Sequence, residues 1–412
     1  MIHKTAWLKS RAVFICISGI FVIKYCYIIY FQVANMKFIH LSDLHLGKRL
    51  NGFSLLEDQA YILEQITEIV KNQQADALII AGDVYDKAVP SAEAVALFDS
   101  FLSKITAVCP HIFIISGNHD SPERIAFGSH IMEKSGVHLS PVYDGNVVPT
   151  VLMDSYGDVN IYMLPFVKPA NVRRFFPEIS IESYTDAVKT AVDKMEIDVN
   201  KRNILITHQF VTGASVCDSE ENSVGGTDNV DGSVFEGFDY VALGHIHSPQ
   251  NVGSERIRYC GTPLKYSFSE CKHIKSVTVI ELNEKNNFTV SSISLTPMRD
   301  LREIKGAYDE LMLKSNYEGT NTDDYMHIIL TDEEDIPDVL SRLRVVYPNI
   351  MKLSYDNKRT RNFQQIEADY DVSEKSPFQL FSEFYNKQNN QDMADEQEKY
   401  VKNLIERIWE GK

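Results

Sequence analysis

The sequence contains few cysteines, and none of them are paired at a spacing typical of metal or disulfide sites. Six cysteines occur among 412 residues: Cys16, Cys26, Cys109, Cys217, Cys260 and Cys271. This pattern excludes a disulfide framework and disfavours a structural zinc site with cysteine ligands. We therefore expect reduced, mostly buried thiols and a cytoplasmic protein.

An excess of basic residues is also absent. The chain has 41 Lys and Arg residues against 57 Asp and Glu residues, which gives a formal net charge of −16. A general basic coat for nucleic acid is thereby disfavoured, whereas a local basic channel, or metal ions that offset carboxylates, would fit this balance. The composition, with 24% charged and 44% hydrophobic residues, is that of an ordinary globular protein, and the length suffices for two or three domains.

The first 35 residues differ from the rest of the chain. An apolar segment without acidic residues runs from Ala12 to about Ala34. One interpretation is a signal anchor or signal peptide, which would bring the protein to a membrane. The interpretation that we favour is an apolar leader upstream of the true start, because Met36 opens the sequence MKFIH, an initiator that leads directly into a predicted buried strand.

From Lys37 onward, short apolar runs alternate with polar loops and amphipathic segments. The apolar runs predict strands at Lys37–Leu41, Ala77–Ala81, Ile112–Ser116, Asn160–Leu164, Asn203–Thr207 and Tyr240–Leu243, and two antiparallel strands at Arg256–Cys260 and Ser276–Leu282. The amphipathic segments predict helices at Leu55–Asn72, Ser91–Ala107, Glu123–Ser135 and Tyr184–Met195. This order predicts an α/β fold, a layered sandwich with a largely parallel centre. The Gly- and Ser-rich segment Ser215–Asp231 is predicted to be a mobile loop near the site.

Apolar density drops near Thr296-Pro297, and we place a domain boundary there. The predicted division is 36–296 for the main domain, 297–372 for a small α/β capping domain and 373–412 for a helical tail. The capping domain is expected to contain strands Met326–Leu330 and Ile350–Ser354 and a helix Pro337–Val346. The last tail segment carries one apolar stripe: Val401, Leu404, Ile405, Ile408 and Trp409. Such a helix either packs on its own domain or binds a partner.

Polar side chains follow the predicted strands at the points where they end. They are Asp43, His45, Asp83, Asn118, His119, His208, His245 and His247, and most have a glycine next to them. The ends of parallel strands are where α/β sheets carry their chemistry. A single histidine there is usually structural, but five histidines, two aspartates and one asparagine at five strand ends are hard to explain by turn chemistry.

These side chains are of the kinds that bind borderline-hard ions such as Mn, Fe or Zn. Seven or eight ligands exceed the need of one ion, so that two ions sharing a carboxylate fit better. Pairs of this kind, about 3.5–4 Å apart, serve in-line attack on phosphate esters. They offset charge on the phosphoryl oxygens and lower the pKa of a bound water, while a nearby unligated histidine can protonate the leaving oxygen.

The order of these residues resembles the hallmark of the calcineurin-like metallophosphoesterases: D-x-H, G-D, G-N-H-D/E, H and G-H-x-H. Here it reads Asp43-Leu44-His45, Gly82-Asp83, Gly117-Asn118-His119-Asp120, His208 and Gly244-His245-Ile246-His247. Within that superfamily the chain is similar to the bacterial SbcD branch, in the runs MKFIHLSDLHLGKRL from Met36 and GNHDSPERIAF from Gly117 and in Gly244–Tyr266. The similarity covers about residues 36–412.

This resemblance implies an αββα sandwich that holds two Mn²⁺ ions, or Mg²⁺ or another divalent ion. One ion would be bound by Asp43, His45, Asp83 and His247, and the other by Asp83, Asn118, His208 and His245. Asp83 would bridge the ions, His119 would protonate the leaving group, and Asp120 would orient His119. The alternative for His119 is a further metal ligand.

The resemblance further implies a DNA nuclease that acts as an ATP-linked double-strand 3′→5′ exonuclease and a single-strand or hairpin endonuclease. It would work with an SbcC-type ATPase, bound by the tail helix Glu396–Trp409, and as a homodimer within a heterotetramer. The dimer contact would involve Glu123–Ser135. Lys48, Arg49 and Arg124 could contact phosphates or be ordinary surface charge.

Two other functions compete with this one. A phosphatase or nucleotidase for small substrates could use the same ligand set, although it would not need the extra domain and tail. A scaffold with a decayed site would have lost at least one ligand, and every position of the pattern is present.

Overall fold

The structure is a computed structural model. The structure describes residues 8–17, 20–29, 35–220, 228–358, 360, 376–389 and 392–410. Near the N-terminus, Leu8–Ile17 and Ile20–Ile29 form an antiparallel pair of strands. None of the helices in the described ranges has the length and apolar character needed to cross a membrane. The status of residues 1–35 stays a prediction.

Sheet A is the first of two six-stranded sheets. In spatial order it contains Phe288–Ser294, Ser276–Leu282, Met36–Leu41, Ala77–Ala81, His111–Ile115 and Val137–Leu139. The last four strands are parallel, and the first two are antiparallel additions at one edge. The strands Ala77–Ala81 and His111–Ile115 consist mostly of buried apolar residues, as expected for strands covered on both faces.

Sheet B has the same number of strands. In spatial order it contains Gln250–Val252, Ser254–Tyr259, Tyr240–Gly244, Arg202–His208, Gly157–Leu164 and Thr150–Asp154. Its four central strands are parallel and both edge strands are antiparallel. Ser254–Tyr259 and Ser276–Leu282 lie in different sheets, and each has an antiparallel neighbour, as predicted. The first pairs with Gln250–Val252, and also in parallel with Tyr240–Gly244, whereas the second pairs with Met36–Leu41 and Phe288–Ser294. Strand propensity does not specify the neighbour of a strand.

The two sheets pack face to face. Side chains from both sheets, including Phe38 and Phe113 of sheet A and Ile161 and Ile206 of sheet B, form one fully buried apolar layer. Helices Leu56–Gln73 and Ala92–Ile105 cover the other face of sheet A. Helix Tyr184–Asp193 covers the other face of sheet B. The predicted αββα sandwich is thus confirmed.

The predicted helices of the main domain are mostly confirmed, with one exception. Ser91 caps its helix through its side chain, as predicted. The predicted helix Glu123–Ser135 was wrong, because the segment consists of three short pieces, Pro122–Ile125, Ser129–Met132 and the 3₁₀ turn Glu133–Ser135. Gly128 between the first two has φ +75°, a left-handed conformation that an α-helix cannot contain.

Several short elements complete the main domain. Two small β-pairs are Arg49–Leu50 with Phe53–Ser54 and Phe210–Val211 with Asn229–Val230, and the remaining helical turns are Pro169–Arg173, Gly232–Phe235 and Phe268–Glu270. Residues 221–227 of the predicted loop Ser215–Asp231 lie outside the described residues.

The third sheet, sheet C, contains Leu301–Gly306, Tyr325–Leu330 and Ile350–Tyr355, all parallel. Short helices Tyr308–Leu311, Lys314–Tyr317 and Val339–Leu343 accompany it, the last one shorter than predicted. This part of the chain has an apolar core of its own. It contacts the main domain at Asp58, whose carboxylate accepts hydrogen bonds from the Tyr325 hydroxyl at 2.7 Å and from Arg299 at 3.1 Å.

The tail consists of helices Pro377–Asn389 and Asp395–Glu410. A groove between them is lined by Phe381, Tyr385, Met393, Tyr400 and Val401 among others. Val401, the first residue of the predicted apolar stripe, thus faces the neighbouring tail helix. Ile408 and Trp409 lie outside the described side chains. The tail and capping-domain boundaries stay predictions.

Candidate metal centre

The ends of sheet A and sheet B strands meet at one edge of the sandwich, around Asp83. The Oδ2 atom of this buried aspartate lies 3.4 Å from His208 Nε2 and 3.7 Å from His45 Nε2. Asp43, also fully buried, has its Oδ1 atom 3.9 Å from His208 Nε2 and 4.0 Å from His45 Nε2. Both carboxylates are thus placed between imidazoles of two different sheets.

The remaining predicted ligands lie on either side of this pair. His247 Nε2 is 3.2 Å from His45 Nε2. On the other side, Asn118 Oδ1 is 3.0 Å from His208 Nε2 and 3.0 Å from His245 Nδ1. The structure therefore brings all seven predicted ligands together, although some of them lie 202 residues apart in the sequence.

At this edge of the sandwich, four residues other than glycine have a positive φ. Asp43, His45, Asp83 and His245 have φ values of +53°, +43°, +49° and +101°. Positive φ is uncommon for residues other than glycine and costs of order 1–3 kcal/mol each. Four such residues within one cluster indicate that the surrounding fold maintains a costly geometry in order to aim these side chains.

Glycines of the three motifs make the close approach possible. A Cβ atom on Gly117 would lie 2.1 Å from Asp83 Oδ1, and one on Gly82 would lie 2.5 Å from His208 Nδ1. A Cβ atom on Gly244 would lie 1.9 Å from the carbonyl oxygen of Ala81. The glycines are thus required because loops from both sheets touch at their backbones.

His119 lies at the rim of the cluster and is more exposed than the buried ligands. Its Nε2 atom is 4.0 Å from Asp83 Oδ2, and its Nδ1 atom is 3.0 Å from the carbonyl oxygen of Asp86. A carbonyl oxygen only accepts, so Nδ1 carries the hydrogen. The nitrogen that can exchange a proton with a substrate is therefore Nε2.

The Asp120 carboxylate connects two loops of the centre, and its expected role in orienting His119 stays a prediction. Its carboxylate accepts hydrogen bonds from the backbone N–H groups of Val84, Tyr85 and Gly117, at 3.1, 2.9 and 3.0 Å. It therefore ties the Asp83 loop to the Asn118 loop, while the carbonyl of Asp86 orients His119. Burial raises the pKa of Asp120 to about 6, and the nearby charge of Asp83 adds to this rise.

The ionisable groups of the centre affect one another strongly. Burial opposes charge on His208, but the carboxylates of Asp83 and Asp43 outweigh this effect and raise its pKa to about 9. Burial also opposes charge on Asp83, yet the imidazoles of His208, His45 and His119 hold its pKa below the usual range. Burial lowers the pKa of His245 to about 3.

The donor set fits a pair of divalent cations. Two buried carboxylates, one amide oxygen and four imidazoles converge, and among the described residues no lysine or arginine belongs to the cluster. Three groups of three side chains have ligand atoms close enough to share an ion: Asp43, His45 and His247; Asp43, Asp83 and His208; and, at the rim, His45, Asp86 and His119. His45 Nδ1 is buried and has no hydrogen-bond partner within the described ranges. Mixed N and O donors of this kind suit divalent transition metals.

Comparison with known proteins agrees with this geometry. A model of the calcineurin-like phosphoesterase family matches residues 36–249. Among curated proteins, the SbcD subunit of the nuclease SbcCD from Staphylococcus epidermidis is 34% identical over 378 residues, which cover 90% of this chain and 98% of that protein. The chain belongs to the SbcD family of calcineurin-like phosphoesterases. The resemblance stated from the motifs is thereby confirmed.

Other matches concern the C-terminal part and the fold. A second family model, SbcD_C, described as the type 5 capsule protein repressor C-terminal domain, matches residues 297–389. The structure of TT1561 from Thermus thermophilus has 13% identity and a TM-score of 0.36, over 63% of this chain and 99% of that one. A dimetal phosphatase from Danio rerio has 8% identity and a TM-score of 0.37, over 64% and 98%. TM-scores this low support no conclusion about the function of this protein.

Membership of the SbcD family makes this chain a metal-dependent phosphodiesterase, a hydrolase that uses divalent ions.

Sequence reasoning missed several residues beside the centre. Asp86 lies 3.9 Å from His45 Nδ1 and forms an ion pair with Lys48 at 2.8 Å. The only sequence feature that associated Asp86 with the centre was its position three residues after Asp83. Ser219 and Glu270, which lie behind His247, gave no signal because nothing in their local sequence marks them.

Two of the basic residues next to the ligand loops already form contacts within the protein. Lys48 is mostly buried and paired with Asp86, and its ammonium also lies 5.6 Å from the centre of the Tyr266 ring. Arg49 donates a hydrogen bond to the carbonyl of Gly52. A contact of Lys48, Arg49 or Arg124 with phosphate stays a prediction.

Proposed function

We propose that this protein is the nuclease subunit of an SbcCD-type complex and hydrolyses DNA phosphodiesters with two Mn²⁺ ions. The expected activities are a double-strand 3′→5′ exonuclease and a single-strand or hairpin endonuclease, in DNA repair and recombination in the cytoplasm. Similarity to the SbcD subunit of the Staphylococcus epidermidis nuclease over nearly the whole of both chains supports this assignment.

The position of the Asp83 carboxylate carries the proposal. One of its oxygens lies within 4 Å of imidazole nitrogens from His45 on one side and His208 on the other. We assign Asp43, His45, Asp83 and His247 to one ion and Asp83, Asn118, His208 and His245 to the other. When bound, such a pair supplies charge neutralisation at the phosphoryl oxygens and a more acidic bound water.

His119 then acts as the proton donor to the leaving oxygen. Its Nδ1–H is held by the Asp86 carbonyl, which fixes the ring and leaves Nε2 free to deliver a proton. The Nε2 atom lies 4.0 Å from Asp83 Oδ2, which places it next to the proposed bridging ligand. Asp120 contributes by holding the two loops in register rather than by exchanging protons.

The proposal includes two partners. Phe127 and Ile131, in the broken helical segment beside the centre, are 83% and 77% exposed, and we infer that they contact the second copy in a homodimer. Large exposed apolar side chains on a surface segment are typical of interfaces. We place the SbcC-type ATPase contact on the tail helix Asp395–Glu410.

A direct test uses purified full-length protein with Mn²⁺ on a DNA hairpin, a linear duplex and p-nitrophenyl phosphate. We expect cleavage of the hairpin by the protein alone, cleavage of the duplex when an SbcC-type ATPase and ATP are added, and little monoesterase turnover. Rapid turnover of the monoester without DNA cleavage would instead support a phosphatase or nucleotidase. The DNA assay should be repeated with Mg²⁺, since the ligand types alone do not select Mn²⁺.

A further inference from the structure

Behind His247 the structure contains a chain of buried polar groups that the proposed reaction does not use. His247 Nδ1 lies 2.7 Å from Ser219 Oγ, which lies 2.6 Å from Glu270 Oε1. The other carboxylate oxygen of Glu270 is 2.5 Å from Lys275 Nζ. Glu270 and Lys275 are both buried, and neither is adjacent in sequence to any predicted metal ligand.

The available donors and acceptors fix the direction of every hydrogen bond among these four side chains. The Glu270 carboxylate receives the Lys275 ammonium and the backbone N–H of Tyr266, groups that can only donate. It therefore acts as an acceptor, and Ser219 uses its single hydroxyl hydrogen to bond Glu270. The Ser219 oxygen is then left to accept a hydrogen from His247 Nδ1.

The consequence for His247 is a single tautomer. With the hydrogen on Nδ1, the lone pair is on Nε2, the atom that lies 3.2 Å from His45 Nε2 in the predicted metal centre. Lys275 adds to this control because it also donates to the backbone carbonyl of His247 at 2.8 Å and to Thr262 Oγ1 at 2.7 Å. All three ammonium hydrogens are thereby used.

Two other histidines of the centre are held in a different way. His208 Nδ1 lies 2.8 Å from the carbonyl oxygen of Ala81, and His119 Nδ1 lies 3.0 Å from that of Asp86. A backbone carbonyl is present whatever the side chain at that position. For His247, by contrast, the acceptor is the Ser219 side chain, which a single substitution removes. The next acceptor, Glu270 Oε1, lies 3.8 Å from His247 Nδ1, beyond hydrogen-bond distance.

We infer that Ser219, Glu270 and Lys275 are positioning residues that fix the Nδ1–H tautomer of His247 and so present its Nε2 to a divalent cation. This inference rests on the proposed metal binding by His247. Groups that orient a metal ligand through its second nitrogen typically contribute about 10–100-fold to metal affinity.

The test has two parts, and the first needs neither metal nor activity. In metal-free protein, ¹⁵N–¹H correlation spectra of the histidine rings should give an Nδ1–H signal for His247, assigned by its loss in His247→Asn. In Ser219→Ala the same ring should shift towards a tautomer mixture. An Nε2–H tautomer for His247 in the unaltered protein would overturn the inference.

The second part is a calorimetric titration with Mn²⁺. In Ser219→Ala we expect one of the two ions to bind about 10–100-fold more weakly and the other to be unchanged. Ser219→Thr, which keeps the hydroxyl, should restore the affinity. Ser267→Ala is the matched control, because Ser267 Oγ also lies 3.2 Å from Glu270 Oε1 but makes no contact with His247 among the described residues. Unchanged affinity for both ions in Ser219→Ala would contradict the inference.

These results separate the inference from the proposed function. A protein that binds two ions with the expected dependence on Ser219 but cleaves no DNA would leave the inference intact and contradict the nuclease assignment. If the unaltered protein bound no Mn²⁺, the tautomer measurement on the metal-free protein would decide the inference by itself.

Discussion

The loops at the end of sheet A and those at the end of sheet B meet at the metal centre with different kinds of side chain. Sheet A contributes the oxygen donors Asp43, Asp83 and Asn118 together with His45 and the rim residue His119. Sheet B contributes His208, His245 and His247. The oxygen donors of one sheet thus face the imidazoles of the other, so that neither sheet holds a complete site.

The backbones of the two regions differ as well. Three of the four positive-φ residues in the cluster, Asp43, His45 and Asp83, lie in sheet A loops, and one, His245, lies in a sheet B loop. The sheet A side chains are aimed by conformational strain and by hydrogen bonds between loops. Two of the sheet B side chains are aimed through their second ring nitrogen, by the Ala81 carbonyl for His208 and by Ser219 for His247. The comparison indicates that changes in the two regions will have different consequences.

The largest difference is expected from removing one ligand on each side. Asp83→Asn should weaken binding of both ions by more than about 100-fold, since changes behind a ligand already cost 10–100-fold, and DNA cleavage should be lost. His245→Asn should weaken only one ion. Metal content after dialysis, measured by plasma mass spectrometry, would distinguish the two. Equal losses of both ions in the two variants would contradict the assignment of Asp83 as the shared ligand.

His119→Asn should separate binding from catalysis. We expect a fall of about 10²–10⁴-fold in kcat for DNA cleavage, which is the usual contribution of a general acid. Mn²⁺ affinity should stay within about twofold, because His119 lies at the rim and its Nδ1 is held by a carbonyl. Calorimetry and a hairpin cleavage assay provide the two measurements. A parallel loss of metal would instead make His119 a ligand.

Gly117→Ala should disturb the contact between the two sheet A loops. The added methyl would lie 2.1 Å from Asp83 Oδ1, so the loops must separate, at a cost of about 1–3 kcal/mol in the free energy of unfolding. Gly237→Ala is the matched control, because its Cβ would meet Ile197 at an ordinary 3.5 Å. Urea unfolding of both variants checks the expectation, and similar midpoints would argue against a tight contact between the loops.

The last prediction concerns pH. The pKa of His208 is raised to about 9 in the metal-free site, so this sheet B ligand carries a proton below that pH, whereas the lowered pKa of Asp83 in sheet A leaves it ionised. Metal must displace the proton on His208, and Mn²⁺ affinity should therefore rise about tenfold per unit from pH 7 towards 9 and then level off. Calorimetry in buffers of different ionisation enthalpy would count the released protons. If no protons were released on Mn²⁺ binding at pH 7, the predicted rise of affinity with pH would be wrong.

Much of the fold and the cluster could be predicted because the signals are local. An apolar run that stops at a glycine, followed by Asp, Asn or His, identifies both a buried strand and the side chain at its end. Asp83 and Asn118 were found in this way, as were their strands. The motif order added the expectation that such loops converge.

The rest depends on contacts between distant parts of the chain. Ser219 and Glu270 are 51 residues apart, and no spacing rule connects them. Likewise, the strand Ser254–Tyr259 could be predicted but not its membership of sheet B. The broken segment after Asp120 did contain a signal, Gly128, but amphipathic periodicity outweighed it in the prediction.

The bonds of Asp120 have a consequence for how freely the loops can be altered. Its three donors are all main-chain N–H groups, at Val84, Tyr85 and Gly117. The connection therefore does not depend on which side chain stands at position 85, and only proline, which has no N–H, would abolish the donor there. An engineer can therefore vary position 85 without losing this hydrogen bond. Aromatic or apolar replacements should be preferred, because the Tyr85 ring also packs edge-on against Phe98, with ring centroids 5.7 Å apart.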